Sequence, residues 1–189
     1  PTLPTPPIAS YTVEMHNAAL EALFNEIADL LEIKGEDAFR VNSYRRVART
    51  IKNLTDDIAA IAGRGELADL QGVGKATAAK IEEYLGTGKV ELHAELRSSI
   101  PKGLPELLNI PGMGPKKVAL VWKELGVEDV ESLKKVITSG EFAKLKGMGE
   151  KSVQQIAQGL AFAEKSGERT PLGLAWPLAE ELAEALRKI

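Results

Sequence analysis

Three short stretches of this chain combine residue types that could hold an anion. They are Leu70-Gln71-Gly72-Val73-Gly74-Lys75, Ile110-Pro111-Gly112-Met113-Gly114-Pro115-Lys116-Lys117 and Leu145-Lys146-Gly147-Met148-Gly149-Glu150-Lys151. Each places an apolar residue before a Gly-x-Gly turn, and a lysine within the two residues after it. Glycine takes a positive φ without strain and lets a foreign atom approach the backbone closely. A helix that starts at such a turn presents unpaired N–H groups and the positive end of its dipole. The combination suits one anionic oxygen at each turn, with Lys75, Lys116 and Lys117, or Lys151 beside it. A lone Gly-x-Gly is more often a plain connection between helices. Three copies form an internal repeat, which carries far more information.

The spacing narrows the anion. A P-loop needs Gly-x-x-x-x-Gly-Lys-Ser/Thr after a strand. Here Ala76 follows Gly74-Lys75, Asp69 stands where the first glycine belongs, and no strand-like run precedes it. The dinucleotide fingerprint fails at Thr77, which occupies its third glycine position. Three phosphate cradles spread along one chain suit a polyphosphate rail, DNA or RNA held through its backbone.

The elements that must position these turns read as helices. Apolar residues keep helical spacing from about Val13 to Ile33, where Lys34-Gly35 ends the run. Phe39 to Asn53 forms a second helix with Val41, Tyr44, Val47, Ala48 and Ile51 inward. Arg45, Arg49 and Lys52, at i, i+4 and i+7, make a basic outer stripe. Thr55-Asp56-Asp57 caps a short helix through Ile61, and helices follow each Gly-x-Gly turn, as far as Leu85, Leu125 and about Ala163. Glu91–Ser98 and Val130–Thr138 are shorter helices, and Leu178 to Leu186 is a terminal one. No period-2 run appears, so the expected fold is all-α: two small helical lobes built on repeated helix-hairpin-helix motifs. The expected domains are an extended proline-rich arm (1–11), a first lobe (12–98), a second lobe (99–165), and a linker with its terminal helix (166–189).

Composition sets outer bounds. The 189 residues include 24 Lys and Arg, 27 Asp and Glu and no cysteine, giving a net charge of −3. Disulfides and thiolate zinc sites are thereby excluded. A net negative charge argues mildly against a bulk electrostatic binder, but its distribution matters more. The first helix collects Glu14, Glu21, Glu26, Asp29 and Glu32, whereas Phe39 to Asn53 holds Arg40, Arg45, Arg46, Arg49 and Lys52 without an acid. His16 and His93 are isolated and read as structural rather than metal-binding. No run reaches membrane-spanning length. Tyr84, Trp122 and Phe142 read as core residues.

The order of basic helix, hairpin, helix and second hairpin resembles the N-terminal region of the family X DNA polymerases, particularly their bacterial and archaeal branch. The segments Phe39-Arg40-Val41-Asn42-Ser43-Tyr44-Arg45-Arg46-Val47-Ala48-Arg49-Thr50-Ile51 and the first two hairpins carry the likeness most specifically. The resemblance implies a first lobe like the deoxyribose-phosphate lyase domain, which grips the 5′-phosphate of a gap, and a second lobe that holds the primer strand. It makes Lys80 the Schiff-base lysine of a lyase, with Tyr44 and Arg40 at the phosphate pocket. It departs at Ala76 and Leu92, where vertebrate members carry phosphate-binding lysines. It also implies K+ or Na+ on main-chain carbonyls near Leu70 and Val73, and near Leu108, Ile110 and Met113. The Mg2+-binding aspartates of the palm would lie beyond Ile189, so the chain reads as a fragment of a longer polymerase or a short relative.

The reading expected from all this is a sequence-independent DNA binder that recognises gapped or 5′-phosphorylated DNA in base excision repair. Its contacts are Arg40, Tyr44, Arg45, Arg49, Gly72, Gly74, Lys75, Gly112, Gly114, Lys116, Lys117, Gly147, Gly149 and Lys151. A cytoplasmic, nucleoid-associated bacterial or archaeal setting goes with it. The alternatives are a lyase acting through Lys80 and a helical scaffold for other proteins.

Overall fold

The computed structural model describes residues 8–167, with side chains from 16 to 162. Among them are eight α-helices, three 3-10 turns and no strand. The first helix, α1 (Ile8–Lys34), is the axis of the first lobe. Leu20, Phe24, Ile27, Leu30 and Leu31 form its buried side, as helical spacing demands. It begins at Ile8, so the expected arm at 1–11 is helical in its last four residues, and 1–7 lie outside the described region. Gly35, at φ +84°, stops it.

Helix α2 (Ala38–Lys52) lies along α1 and buries Val41, Tyr44, Val47, Ala48 and Ile51 against it. Phe24 and Tyr44 stack with ring centroids 5.9 Å apart. The following loop is pinned by Asn17, buried on α1, which donates to the Asp56 carbonyl and accepts from the Ile58 N–H, both at 2.9 Å. Asp57 then caps α3 (Ile58–Gly63) through the Ala59 N–H at 3.0 Å. A 3-10 turn, the first hairpin, α4 (Lys75–Thr87) and α5 (Glu91–Ser98) complete the lobe.

The second lobe repeats the plan as a 3-10 turn, the second hairpin, α6 (Pro115–Leu125), α7 (Val130–Thr138), a third 3-10 turn, the third hairpin and α8 (Glu150–Gly167). Asp129 caps α7 by accepting from the Ser132 N–H at 2.7 Å. The Ser132 hydroxyl, which also donates to it at 2.7 Å, and that N–H hold its carboxyl below the ordinary aspartate range. Left-handed glycines close α4 and α6, Gly88 at +72° and Gly126 at +64°. Helix α8 runs through Gly167, so the segment expected as linker from residue 166 starts as helix; the expected terminal helix, Leu178 to Leu186, lies outside the described residues.

The expected lobe boundary falls at the end of α5, and it is packed. Ile100 and Leu104 are buried there, α6 rests on α1, and one apolar core runs through both lobes. Phe142 is fully buried, while Tyr84 and Trp122 are half-buried against that core.

Candidate nucleic-acid interface

The three hairpins have one backbone geometry. In each, the apolar residue's carbonyl accepts the N–H three residues on: Val73 to Leu70 at 3.0 Å, Met113 to Ile110 at 2.9 Å, and Met148 to Leu145 at 3.0 Å. The third residue of each turn is glycine at positive φ: Gly72 at +83°, Gly112 at +92° and Gly147 at +86°. The second residue (Gln71, Pro111 or Lys146) is not at positive φ. These are type II turns, which demand glycine at their third residue and favour proline at the second. The first glycine of every pair is therefore fixed by the fold.

The second glycine is not. Gly74 and Gly114 cap the next helix at φ −97° and −99°, angles open to any residue. A Cβ built on Gly74, Gly114 or Gly149 meets nothing within 4 Å. Glycine is a fair N-cap but inferior to Ser, Asn or Asp, so its recurrence at all three places needs another cause. A bare backbone open to solvent at a helix N-terminus is one that a bulky partner can reach.

The N–H groups behind these glycines are available. Gly74 donates to Thr77 Oγ1 at 2.9 Å, which leaves the amides of Lys75 and Ala76 for the first hairpin. In the second, Gly114 and Lys116 find no acceptor among the described residues, and Pro115 has no N–H to satisfy. In the third, Gly149, Glu150 and Lys151 find none. The Glu150 carboxylate sits on the first turn of α8, where it suits the dipole but opposes an incoming anion. Lys75, Lys116 and Lys151 are exposed and unpaired among the described residues, whereas Lys117 donates to its own turn at the Gly112 carbonyl, 2.8 Å away.

Helix α2 has two polar flanks, and the structure separates them. The expected outer stripe of Arg45, Arg49 and Lys52 faces the acids of α1. Arg45 bridges Asp29, at 3.1 Å, and Glu32, while Lys52 reaches Glu21 at 2.9 Å. Burial raises the Asp29 carboxyl against the pull of Arg45, and the two carboxylates hold the Arg45 guanidinium above its ordinary value although burial opposes them. Arg49 is exposed on that flank and unpaired among the described residues. Arg40 pairs with Glu36 at 3.0 Å, one turn back.

The other flank meets the first hairpin. The stem of Arg46 lies against Gly72, and Thr50 donates to the Gln71 carbonyl at 2.8 Å. Phe39, Asn42, Ser43, Arg46 and Gly72 line a cavity of about 150 Å³, with Phe39 81% exposed at its mouth. Arg46 is exposed and unpaired among the described residues. Sequence reasoning missed Phe39 and Arg46 as site residues. Their i, i+3, i+4, i+7 spacing with Asn42 and Ser43 was a readable signal, but nothing local says which flank faces a hairpin.

Helix-hairpin-helix signatures cover the same ground. A helix-hairpin-helix domain model matches residues 15–90, and a SAM-like helix-hairpin-helix tandem model matches 104–161. Over 172 residues the chain is 37% identical to the DNA polymerase/3′-5′ exonuclease PolX of Bacillus subtilis (strain 168). That match takes in 91% of this chain and 30% of the relative's length. The chain thus carries helix-hairpin-helix modules and, over most of its length, is similar to under a third of that polymerase.

The residues that the family X resemblance singles out are distributed as follows. Tyr44 is 7% exposed; its ring belongs to the core, where burial raises the phenol above its ordinary range and nearby Arg40 opposes that rise. Lys80, on the outer side of α4, is half-buried and donates to the Ala76 carbonyl at 3.2 Å. No hydrogen bond or ion pair joins it to Arg40, Tyr44 or Arg45 among the described residues. The donor set expected for K+ or Na+ consists of hard carbonyl oxygens, and it fits such an ion. Leu70 and Ile110 carbonyls each spend one lone pair on the turn, and those of Val73 and Met113 accept no N–H among the described residues.

His16 hydrogen-bonds Asp57 at 3.2 Å, His93 Nε2 is buried 3.0 Å from a Glu26 carboxylate oxygen without a hydrogen bond, and no metal-ligating cluster occurs among the described residues. No described helix is long and apolar enough to cross a membrane.

Proposed function

We propose that this chain binds DNA without sequence preference, through the sugar–phosphate backbone, as the gap-recognising part of a family X repair polymerase. The observation that carries the reading is the second glycine of each hairpin. Neither conformation nor packing requires it, and it bares amides beside an unpaired lysine at three helix N-termini. Kinship with a DNA polymerase supports DNA as the polyanion. Phosphate contacts of this kind fix position and carry no sequence information.

The first lobe takes the 5′-phosphate side of the gap. Lys75 and the α4 amides hold phosphate, Arg46 adds charge from the neighbouring cavity, and exposed Phe39 supplies a flat apolar face for an unpaired base. The second lobe uses the tandem of second and third hairpins on the strand across the gap, and the hairpin carbonyls of Leu70, Val73, Leu108, Ile110 and Met113 hold K+ or Na+. The lyase reading, with Lys80 as nucleophile, rests on the resemblance alone.

Fluorescence anisotropy with a gapped duplex bearing a 5′-phosphate tests the proposal. Affinity should fall with salt at a slope of about −0.9 per phosphate neutralised, and exceed that for intact duplex of the same length. Equal affinity for the two removes gap recognition. Absence of salt-dependent binding to either removes DNA binding.

A further inference from the structure

We infer that the second hairpin carries a cation of its own, the ammonium of Lys117, and depends less than the first on K+ or Na+ for its grip on phosphate. This rests on the reading of the hairpin carbonyls as an ion site and of phosphate as their ligand's anion. The two turns are alike in backbone and differ at one position. Counted from the positive-φ glycine, the fifth residue on is Thr77 in the first hairpin and Lys117 in the second.

Thr77 is spent locally. Its hydroxyl accepts from the Gly74 N–H and donates to the Gly74 carbonyl, both at 2.9 Å. Arg46 brings its aliphatic stem to Gly72, and the side chain that donates to that turn is the neutral Thr50, at the Gln71 carbonyl. Lys117 behaves otherwise. It is half-buried on the first turn of α6 and turns back, so that its ammonium donates to the Gly112 carbonyl at 2.8 Å. The third residue of a helix lies at the positive pole of the dipole, where a cation is disfavoured. The turn carbonyl offsets that disadvantage, and it is the same class of donor that would hold a bare monovalent ion.

Gly112 and Met113 are consecutive, so an ion on the Met113 carbonyl would stand roughly within the Debye length of about 8 Å from this ammonium, where salt screens little. Repulsion between unit charges a few ångströms apart in largely aqueous surroundings weakens ion binding by roughly three- to tenfold. The ammonium, being tethered, is present at the turn whatever the bulk cation. A phosphate arriving at the second hairpin therefore meets a fixed positive charge. One arriving at the first meets carbonyls of Leu70 and Val73 that must recruit theirs from solution.

Exchange of tetramethylammonium nitrate for potassium nitrate at constant nitrate tests this on the whole chain, because a quaternary ammonium has no N–H and is too large for a carbonyl cage. Anisotropy on the 5′-phosphorylated gapped duplex should show that Lys117→Met gains roughly three- to tenfold more affinity from the exchange than the parent gains. Lys117→Arg keeps the charge and should follow the parent. An equal gain in Lys117→Met and the parent would overturn the inference. Thallium(I), a spectroscopic stand-in for potassium, gives a second readout without DNA. Its nuclear resonance should report one ion held more tightly by Lys117→Met than by the parent, with helicity by circular dichroism unchanged. Identical thallium titrations would overturn the inference, and no thallium binding in any form would remove the ion site with it. If no DNA binds, the DNA-binding reading fails, and the thallium arm still decides the role of Lys117.

Discussion

Alanine at Gly74, Gly114 and Gly149 together separates a glycine kept for a ligand from one kept for the fold. A Cβ at each meets nothing within 4 Å, and the backbone at Gly74 and Gly114 is ordinary for alanine. The fold loses only capping quality, about 0.5 kcal/mol per site. A stiffer unfolded chain offsets this by about 0.4–1 kcal/mol per site. The net change is near zero against a domain stability of about 5–15 kcal/mol, and Tm should move by no more than a few degrees. Binding should respond differently. Each added methyl stands in the path of a phosphate toward amides whose bonds to a charged acceptor are worth about 1.5–3 kcal/mol. One hairpin lost is then a roughly tenfold to hundredfold weakening, since 1.4 kcal/mol is a factor of ten. Anisotropy on the 5′-phosphorylated gapped duplex measures it, beside thermal denaturation of the same sample. Gly72→Ala is the contrasting control. It forces alanine to φ +83°, against the Arg46 stem, at about 1–2 kcal/mol, so stability and binding should fall together. A triple variant that melts and binds like its parent would refute the reasoning, because the second glycines would then serve no ligand.

The two flanks of α2 give paired predictions. Arg45→Met strands Asp29 and Glu32 and should destabilise by about 1–2 kcal/mol, discounted for partial exposure, with gapped-DNA affinity changed less than about twofold, within ordinary surface effects. Arg46→Met keeps the stem on Gly72 and should leave stability intact while lowering the salt slope of binding by about 1. Glu150→Gln removes the one carboxylate on the first turn of α8 and should tighten DNA binding several-fold at low salt, an effect that fades above about 0.3 M as screening shortens; tighter binding that persists there would point to a cause other than charge. Tyr44 supplies a pH signature. Its folded phenol titrates above the unfolded value of about 10, so its contribution to stability is complete below that pH and is lost as pH rises through the folded pKa. Urea midpoints at pH 9 and 11 should therefore fall less in Tyr44→Phe than in the parent. Borohydride trapping on a nicked abasic duplex tests Lys80: cross-linking that survives Lys80→Ala would exclude it as the nucleophile.

Stereochemistry made the hairpins legible in advance. A glycine three residues into a type II turn is demanded by φ, and a repeat of that demand cannot hide in a sequence. Helices Glu91–Ser98 and Val130–Thr138 match their expected bounds because apolar period and end signals agree there. The start of α1 was misjudged because the prolines at 4, 6 and 7 colour a composition window wider than their steric reach. The roles of Arg45 and Arg46 were not legible, because adjacent positions on a helix differ by about 100° and only the packing of α2 on α1 decides which of the two meets carboxylates. Phe39 counted as the apolar start of a helix, and its exposure follows from where the first hairpin sits, a tertiary fact.

The same packing reconciles a net charge of −3 with the polyanionic ligand proposed above. The described acids of α1 are occupied: Glu21 by Lys52, Glu26 by Arg97, and Asp29 and Glu32 by Arg45. They act as internal counterions, which removes the acidic first helix as support for a protein-docking scaffold. The cations left without a partner among the described residues include Arg46 and Lys75 beside the first hairpin, Lys116 at the second and Lys151 at the third. Because these charges stand within a turn of bare amides, a phosphate meets a cation and a dipole together. An overall acidic surface then lowers non-specific association with nucleic acid without weakening the three local sites, since at about 0.15 M salt charges farther than roughly 8 Å are screened from them.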